Sequence, residues 1–211
     1  MITSQELIGL AAIAVLWMLG VTRIRSMLWG LAAQCAALSA LPLRRGLEDH
    51  SPGDIWLGVT MLVVKAIAIP LFLNWSANRL QVTRDRGAGM PPALAMLLGA
   101  VIIFLCHFQS AQISADGAAP GSAGLALAIV VIGTMIMMTR RLALAMLIGF
   151  LVIDNGIFTY TFTQTRGLPI TIELGIVFDL FVSVLLAGVV LFRVRKSFEH
   201  MDTFEMRELH E

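Results

Sequence analysis

The chain has 211 residues, of which 58% are hydrophobic and only 14% are charged. An average soluble domain is about 45–50% apolar and about 25% charged, so this composition is typical of a membrane protein. It argues against a soluble enzyme and against a disordered chain. Basic and acidic residues nearly balance, at 15 and 14, so the sequence lacks the overall positive charge that favours nucleic-acid binding.

Seven apolar segments are each long enough to cross a membrane, which takes about 20 residues. In chain order they cover Glu6–Thr22, Ser26–Leu43, Ile55–Ala77, Pro91–Ser110, Ser122–Met138, Leu142–Thr163 and Ile170–Phe192. The sequence therefore predicts an all-α, polytopic membrane protein with seven transmembrane helices. We divide it into a four-helix N-terminal part (residues 1–114), a three-helix C-terminal part (115–196) and a tail (197–211).

The basic residues between these segments predict the orientation of the chain. Eleven of the 15 lie on one face of the predicted bundle, whereas Arg44, Arg45 and Arg166 lie on the other. Lysine and arginine are enriched in cytoplasmic loops. We therefore predict that the N-terminus lies outside and that the C-terminus and its tail are cytoplasmic.

Three ionisable residues fall deep inside the predicted helices: Lys65 in the third, Asp154 in the sixth and Asp179 in the seventh. Each lies nine or ten residues from the outer end of its helix, a depth of about 13–15 Å at about 1.5 Å per residue. This depth is close to the centre of a hydrocarbon core about 30 Å thick. A charge there costs about 2.5–3.5 kcal/mol on insertion scales, so each residue needs a partner or a function.

Two interpretations of this polar layer remain open. Burial raises the pKa of carboxyl groups in general and lowers that of amines, so such a layer can pass protons near neutral pH. Glu173 and His107 lie nearer the outer ends of their helices and would connect the layer to the outer interface. Alternatively, the lysine and one aspartate form a fixed buried pair that only sets the packing of the helices.

The same residues resemble a known family. The lysine of the third helix, the run Gly149–Gly156 ending in Asp154-Asn155-Gly156, and the run Ile172–Asp179 are similar to hydrogenase-4 component E over most of the chain. The last three predicted helices, about Ser122–Phe192, further resemble the K subunit of complex I and its relatives in cation antiporter complexes. In that family each of the last two helices carries a buried acidic residue, in the places that Asp154 and Asp179 occupy here.

The resemblance implies a non-catalytic membrane-arm subunit of an energy-converting hydrogenase or formate hydrogenlyase complex, in the cytoplasmic membrane of a bacterium or archaeon. Its partners would be antiporter-like membrane subunits, a peripheral hydrogenase arm and the lipid bilayer. A proton path would be formed by Lys65, Asp154, Asp179, Glu173 and His107.

We predict no cofactor and no metal, since the sequence has neither clustered cysteines nor a glycine fingerprint. A structural adaptor subunit and a stand-alone secondary transporter are the alternatives.

Overall fold

The computed structural model describes residues 3–79, 89–110 and 121–164, and within these ranges it is helical without strands. The helices are α1 (Ser4–Gly20), α2 (Ile24–Glu48), α3 (Pro52–Arg79), α4 (Pro92–Phe108), α5 (Ser122–Thr139) and α6 (Ala143–Gln164). They confirm that the first six predicted segments are helical. The seventh, Ile170–Phe192, lies outside the described residues, and Glu173 and Asp179 lie outside them with it.

Four of these helices, α2, α3, α5 and α6, are long and apolar enough to cross a membrane. Helices α1 and α4 are apolar but have 17 residues each. Seventeen residues extend about 26 Å, slightly less than a hydrocarbon core of about 30 Å. The described residues thus supply four candidate spans, fewer than the seven that the sequence predicts.

Two helix starts follow from local sequence. Thr3 caps α1, because its hydroxyl accepts a hydrogen bond from the Glu6 N–H while the Glu6 carboxylate accepts one from the Thr3 N–H. Ser51 caps α3 through the N–H of Asp54, and Pro52 occupies the first helical position, where its missing N–H costs no hydrogen bond. Both caps lie at the face that we predict to be outside.

The middle of α3 is a π-helix, Leu62–Ala68, between the α-helices Pro52–Met61 and Ile69–Arg79. Pro70 is the second residue after this segment, and a proline inside an α-helix collides with the carbonyl four residues earlier. The Ile69 N–H instead bonds to the Val64 carbonyl, five residues back. The wider turn accommodates the proline ring without ending the helix.

The π-helix also keeps one face of α3 inward. The buried positions Leu57, Met61, Lys65, Leu73 and Ala77 recur at multiples of four residues. Such a spacing drifts by about 40° per turn on a straight α-helix of 3.6 residues per turn. The wider π-turns counter this drift, so Lys65 lies on the same buried side as Leu57 and Leu73.

The helices pack into one bundle. Helix α1 contacts α2, α4 and α5, whereas α2 contacts α3 and α6. The interfaces between α5 and α6 and between α2 and α3 are the two most extensive ones in the described part of the chain. Large apolar side chains remain exposed on the outer surfaces, including Trp29, Trp56, Phe104 and Phe108. This arrangement suits a bundle surrounded by lipid.

Glycines bring α5 and α6 together at backbone distance. A Cβ at Gly149 would lie 3.0 Å from the carbonyl oxygen of Gly133, and a Cβ at Gly133 would lie 3.0 Å from that of Gly149. Gly156 similarly approaches the backbone of Val130. Small residues allow this close packing between membrane helices. Asp154 therefore lies on a helix that is pressed tightly against its neighbour.

Candidate functional site

Lys65 and Asp154 form an ion pair between α3 and α6. Lys65 Nζ lies 2.7 Å from Asp154 Oδ2. The lysine side chain is 5% exposed and the aspartate side chain 16% exposed. Removing two charges from water is costly, so the ions need each other and further hydrogen bonds. The structure thus brings together two of the five residues that the sequence proposed for the site.

Asn155 extends this ion pair into a network. Its Oδ1 accepts a second hydrogen bond from Lys65 Nζ, at 3.1 Å. Its Nδ2 donates to Gln34 Oε1 at 3.4 Å and to Cys35 Sγ at 3.1 Å, both on α2. Since Lys65 can only donate, the amide oxygen must face the lysine and the amide nitrogen must face α2. Three helices therefore meet at one polar layer.

Gln34 belongs to this layer, although it is not among the residues predicted for the site from the sequence. The side chain is fully buried, and its Nε2 has no hydrogen-bond partner in ranges 3–79, 89–110 and 121–164. A buried donor without a partner costs about 1–3 kcal/mol. The one sign of Gln34 in the sequence is a polar amide in the middle of the helix Ile24–Glu48. An amide is less conspicuous than a charged residue, because it carries no charge. Gln34 and Asn155 together make the layer more polar than the charges alone indicate.

A line of polar side chains runs from this layer along one side of α6. The Thr159 hydroxyl donates to the Asn155 carbonyl at 2.7 Å, and the Thr163 hydroxyl donates to the Thr159 carbonyl at 2.8 Å. Gln164 Nε2 then donates to the Ser122 hydroxyl at 3.2 Å. The line reaches from the centre of α6 to the start of α5.

His107 lies near the end of that line. Its ring packs beside Gly121, the residue before Ser122, where a Cβ would lie 2.6 Å from His107 Cε1. Gly121 also has φ of +79°, so glycine is needed there for both backbone conformation and space. His107 is exposed and, within the part that the structure describes, has no hydrogen bond to Lys65 or Asp154.

A second buried cation, Arg140, lies in the link between α5 and α6. Its Nη2 donates to the carbonyls of Leu19 and Val21, each at 2.9 Å, and to that of Met18 at 3.4 Å. These carbonyls end α1, where a cation is favoured by the helix dipole. In the sequence, Arg140 is one of the eleven basic residues that predict the cytoplasmic face. Its side chain instead fixes the end of α1 against the α5–α6 link.

The described residues contain no group of three or more histidine, cysteine, aspartate or glutamate side chains that could hold a metal ion. In the part of the chain that the structure describes, the polar layer contains one ammonium, one carboxylate, two amides and one thiol. One oxygen of its carboxylate, Asp154 Oδ2, is paired with Lys65.

The fold and this site define a class: a helical membrane-type protein in which a lysine on one apolar helix pairs with a carboxylate on another. The chain belongs to the same family as the uncharacterized protein Rv0085 of Mycobacterium tuberculosis, with which it is 30% identical over 205 residues. This alignment covers 96% of the chain and 92% of the mycobacterial protein.

The chain is also similar to hydrogenase-4 component E. It is 27% identical to the Escherichia coli K12 protein over 140 residues, which covers 63% of this chain and 64% of that protein. The Shigella flexneri protein of the same name shows the same values. No protein-family model matches the chain, and no solved structure matches it.

Proposed function

We propose that this protein is a membrane-arm subunit of a multi-subunit, complex I-like energy-converting hydrogenase and that its buried charges form part of a proton path. The observation that carries the proposal is the Lys65–Asp154 pair with Asn155 as second acceptor, inside a helix bundle. The similarity to hydrogenase-4 component E supports the kind of complex. Redox chemistry would take place in other subunits, and this chain would be non-catalytic.

The proposed topology has seven spans, with α1 and α4 crossing as short helices and Ile170–Phe192 as the last. The N-terminus would be outside, because eleven of the 15 basic residues, Arg23 and Arg25 among them, lie on the opposite face of the predicted bundle, and basic residues are enriched on the cytoplasmic side. The chain would lie in the cytoplasmic membrane of a bacterium or archaeon. Antiporter-like membrane subunits and a peripheral hydrogenase arm would be its partners.

In the proposed relay, Asp154 takes a proton from a neighbouring donor and becomes neutral. The ion pair with Lys65 weakens, but the ammonium keeps its hydrogen bond to Asn155 Oδ1. When the proton leaves Asp154, the carboxylate attracts Lys65 again. The amide thus lowers the cost of the protonated state, since removal of one partner of a buried pair otherwise costs about 3–5 kcal/mol.

We propose Asp179, in the last predicted helix, as the next carboxylate in the path. The line of Thr159, Thr163, Gln164 and Ser122 would lead protons between the layer and His107 at the outer side. Glu173, three residues into the last predicted helix, would serve the same outer connection. Water molecules would bridge successive hydroxyl groups, which lie about 6 Å apart at four-residue spacing on a helix.

Replacement of Asp154 by asparagine tests the relay in the assembled complex. We expect proton movement coupled to hydrogen turnover to be lost in membrane vesicles, while the complex and its electron transfer remain. Asp154→Glu should keep proton movement because it preserves a titratable carboxyl group, and Asp54→Asn, at the start of α3, should have no effect. Normal pumping by Asp154→Asn would contradict the proposal.

The second candidate function is a structural adaptor in the same kind of complex. It is favoured by the burial of Lys65 and by the two hydrogen bonds that already satisfy its ammonium. In this case Asp154→Asn would reduce assembly of the complex, and any complex that formed would pump normally. The asparagine variant therefore distinguishes the two functions.

A further inference from the structure

Three arginines and two tryptophans are exposed where the start of α2 approaches the end of α3, with Arg25 hydrogen-bonded to Asn78. This arginine–tryptophan patch consists of Arg23, Arg25 and Trp29 from the α2 side and Trp75 and Arg79 from the α3 side. All five residues are exposed. The patch lies at the opposite end of α2 from Arg44 and Arg45, and it is unrelated to the Lys65–Asp154 pair.

Neutral groups hold two of the guanidinium groups in place. Arg25 Nη2 donates to Asn78 Oδ1 at 2.7 Å, and the Arg79 guanidinium lies 5.5 Å from the centre of the Trp75 ring. Neither contact neutralises the positive charge, and both leave further N–H donors available. Within the described ranges, no carboxylate forms an ion pair with Arg23, Arg25 or Arg79.

The arginines at the other end of α2 are arranged differently. Arg44 pairs with Glu48 at 2.7 Å, and Arg45 lies within 4 Å of both Asp49 and Asp54, at 3.6 and 3.8 Å. The protein thus supplies its own anions at one end of α2. At the other end the described residues place no carboxylate in an ion pair with the arginines, so an external anion would complete the arrangement.

The start of α2 adds to the positive potential. Arg23 is the N-cap residue, no side chain caps the helix, and no acidic residue lies in the first turn. The N-terminal end of a helix already carries a partial positive charge, so arginines there repel it unless an anion is bound. The start of α2 therefore favours an anionic ligand, as the guanidinium groups do.

The surroundings identify the source of the anion as a lipid. Trp29 and Trp75 are 75% and 44% exposed, and tryptophan prefers the level of the lipid headgroups. Toward the centre of α3, Ile67 and Leu71 are also exposed. An acyl chain can therefore lie along this apolar surface while a phosphate contacts Arg25 and Arg79.

We propose that the arginine–tryptophan patch binds the headgroup of an anionic phospholipid. The phosphodiester accepts hydrogen bonds from Arg25 and Arg79, Arg23 contributes charge, and the tryptophans hold the glycerol region. Basic sites between membrane helices commonly bind such headgroups on the cytoplasmic side. This is the side on which we place the patch.

Native mass spectrometry of the purified full-length protein tests this site, with phosphatidylglycerol or phosphatidylcholine added in mild detergent. We expect the wild type to retain phosphatidylglycerol preferentially. The Arg25→Gln/Arg79→Gln double variant should lose about 30-fold in affinity for it, from about 1 kcal/mol per arginine. Arg44→Gln/Arg45→Gln changes the net charge equally at the other end of α2 and should bind like the wild type.

Two outcomes would overturn the proposal. Equal retention of phosphatidylglycerol by both double variants would remove the patch as the site, provided that circular dichroism and size-exclusion chromatography show both to be folded. Displacement of the lipid by an equal concentration of inorganic phosphate would show a site for small anions instead. The Arg25→Lys/Arg79→Lys variant should retain part of the preference, because the charge remains while bidentate hydrogen bonding is lost.

Discussion

Lys65 and Arg140 are both buried cations, yet the partners described for them in residues 3–79, 89–110 and 121–164 differ in kind. Lys65 lies in the middle of α3 and pairs with a carboxylate, which can gain and lose a proton. Arg140 lies in the α5–α6 link, and its Nη2 bonds to backbone carbonyls at the end of α1, which cannot. Burial alone therefore does not mark a cation as functional. A titratable partner distinguishes a possible relay from a fixed structural contact.

The largest effect is expected when the Lys65–Asp154 pair is broken on one side. Lys65→Ala leaves Asp154 charged in an apolar environment and should reduce the free energy of unfolding by about 3–5 kcal/mol. Lys65→Ala/Asp154→Ala removes both charges and should recover part of that loss. Thermal unfolding in detergent, together with the yield of folded protein, measures both. A double variant no more stable than Lys65→Ala would show that the pair is not energetically coupled.

A smaller loss is expected for Arg140→Gln. The variant loses charge-assisted hydrogen bonds to the end of α1, but the glutamine amide can keep one and water at the interface can replace another, so the net loss should be about 1.5–3 kcal/mol, that of one such bond. Arg141, the next residue, is exposed, and Arg141→Gln should change the free energy of unfolding by less than about 1 kcal/mol. Arg140→Gln should leave proton movement in the assembled complex unchanged. A loss of pumping with normal assembly would remove the distinction between the two cations.

The smallest effect on stability is expected for Gln34→Leu. The leucine removes the amide nitrogen that lacks a partner in the described part of the chain, and Asn155 Nδ2 keeps Cys35 Sγ as an acceptor. The free energy of unfolding should change by about 1 kcal/mol or less. If Gln34 helps to carry protons, proton pumping will fall although the free energy of unfolding hardly changes. A large destabilisation would indicate that the amide nitrogen has a partner outside the described residues.

The positions of Lys65 and Asp154 inside long apolar helices could be predicted from the sequence, because a charge inside a long apolar segment stands out. The structure shows the two side chains in contact, but their role in proton transfer stays a prediction. Gln34 was harder to recognise, because an uncharged amide interrupts the apolar pattern only slightly. Its importance depends on Asn155, which is 121 residues away in the chain.

Arg140 shows a different limit of prediction from the sequence. In the sequence it is one of two adjacent arginines in a short link, and such residues usually face water and lipid headgroups. Only the packing of α1 against α5 reveals that Arg140 is buried while Arg141 is exposed. The π-helix was likewise only partly predictable. Pro70 by itself removes only the hydrogen bond to the Ala66 carbonyl, and this does not require seven residues of widened helix.

The glycine contacts between α5 and α6 have a mechanical consequence for the ion pair. Because the two backbones touch at Gly133 and Gly149, a displacement of Asp154 along α6 must drag α5 with it. Lys65 has a long side chain with four rotatable bonds, and it extends from a widened turn. Lys65 is thus the partner that can move more easily, whereas Asp154 is held in place by the packing of α6 against α5. When the Lys65–Asp154 contact opens, the movement should therefore occur in the Lys65 side chain and in α3 rather than in α6.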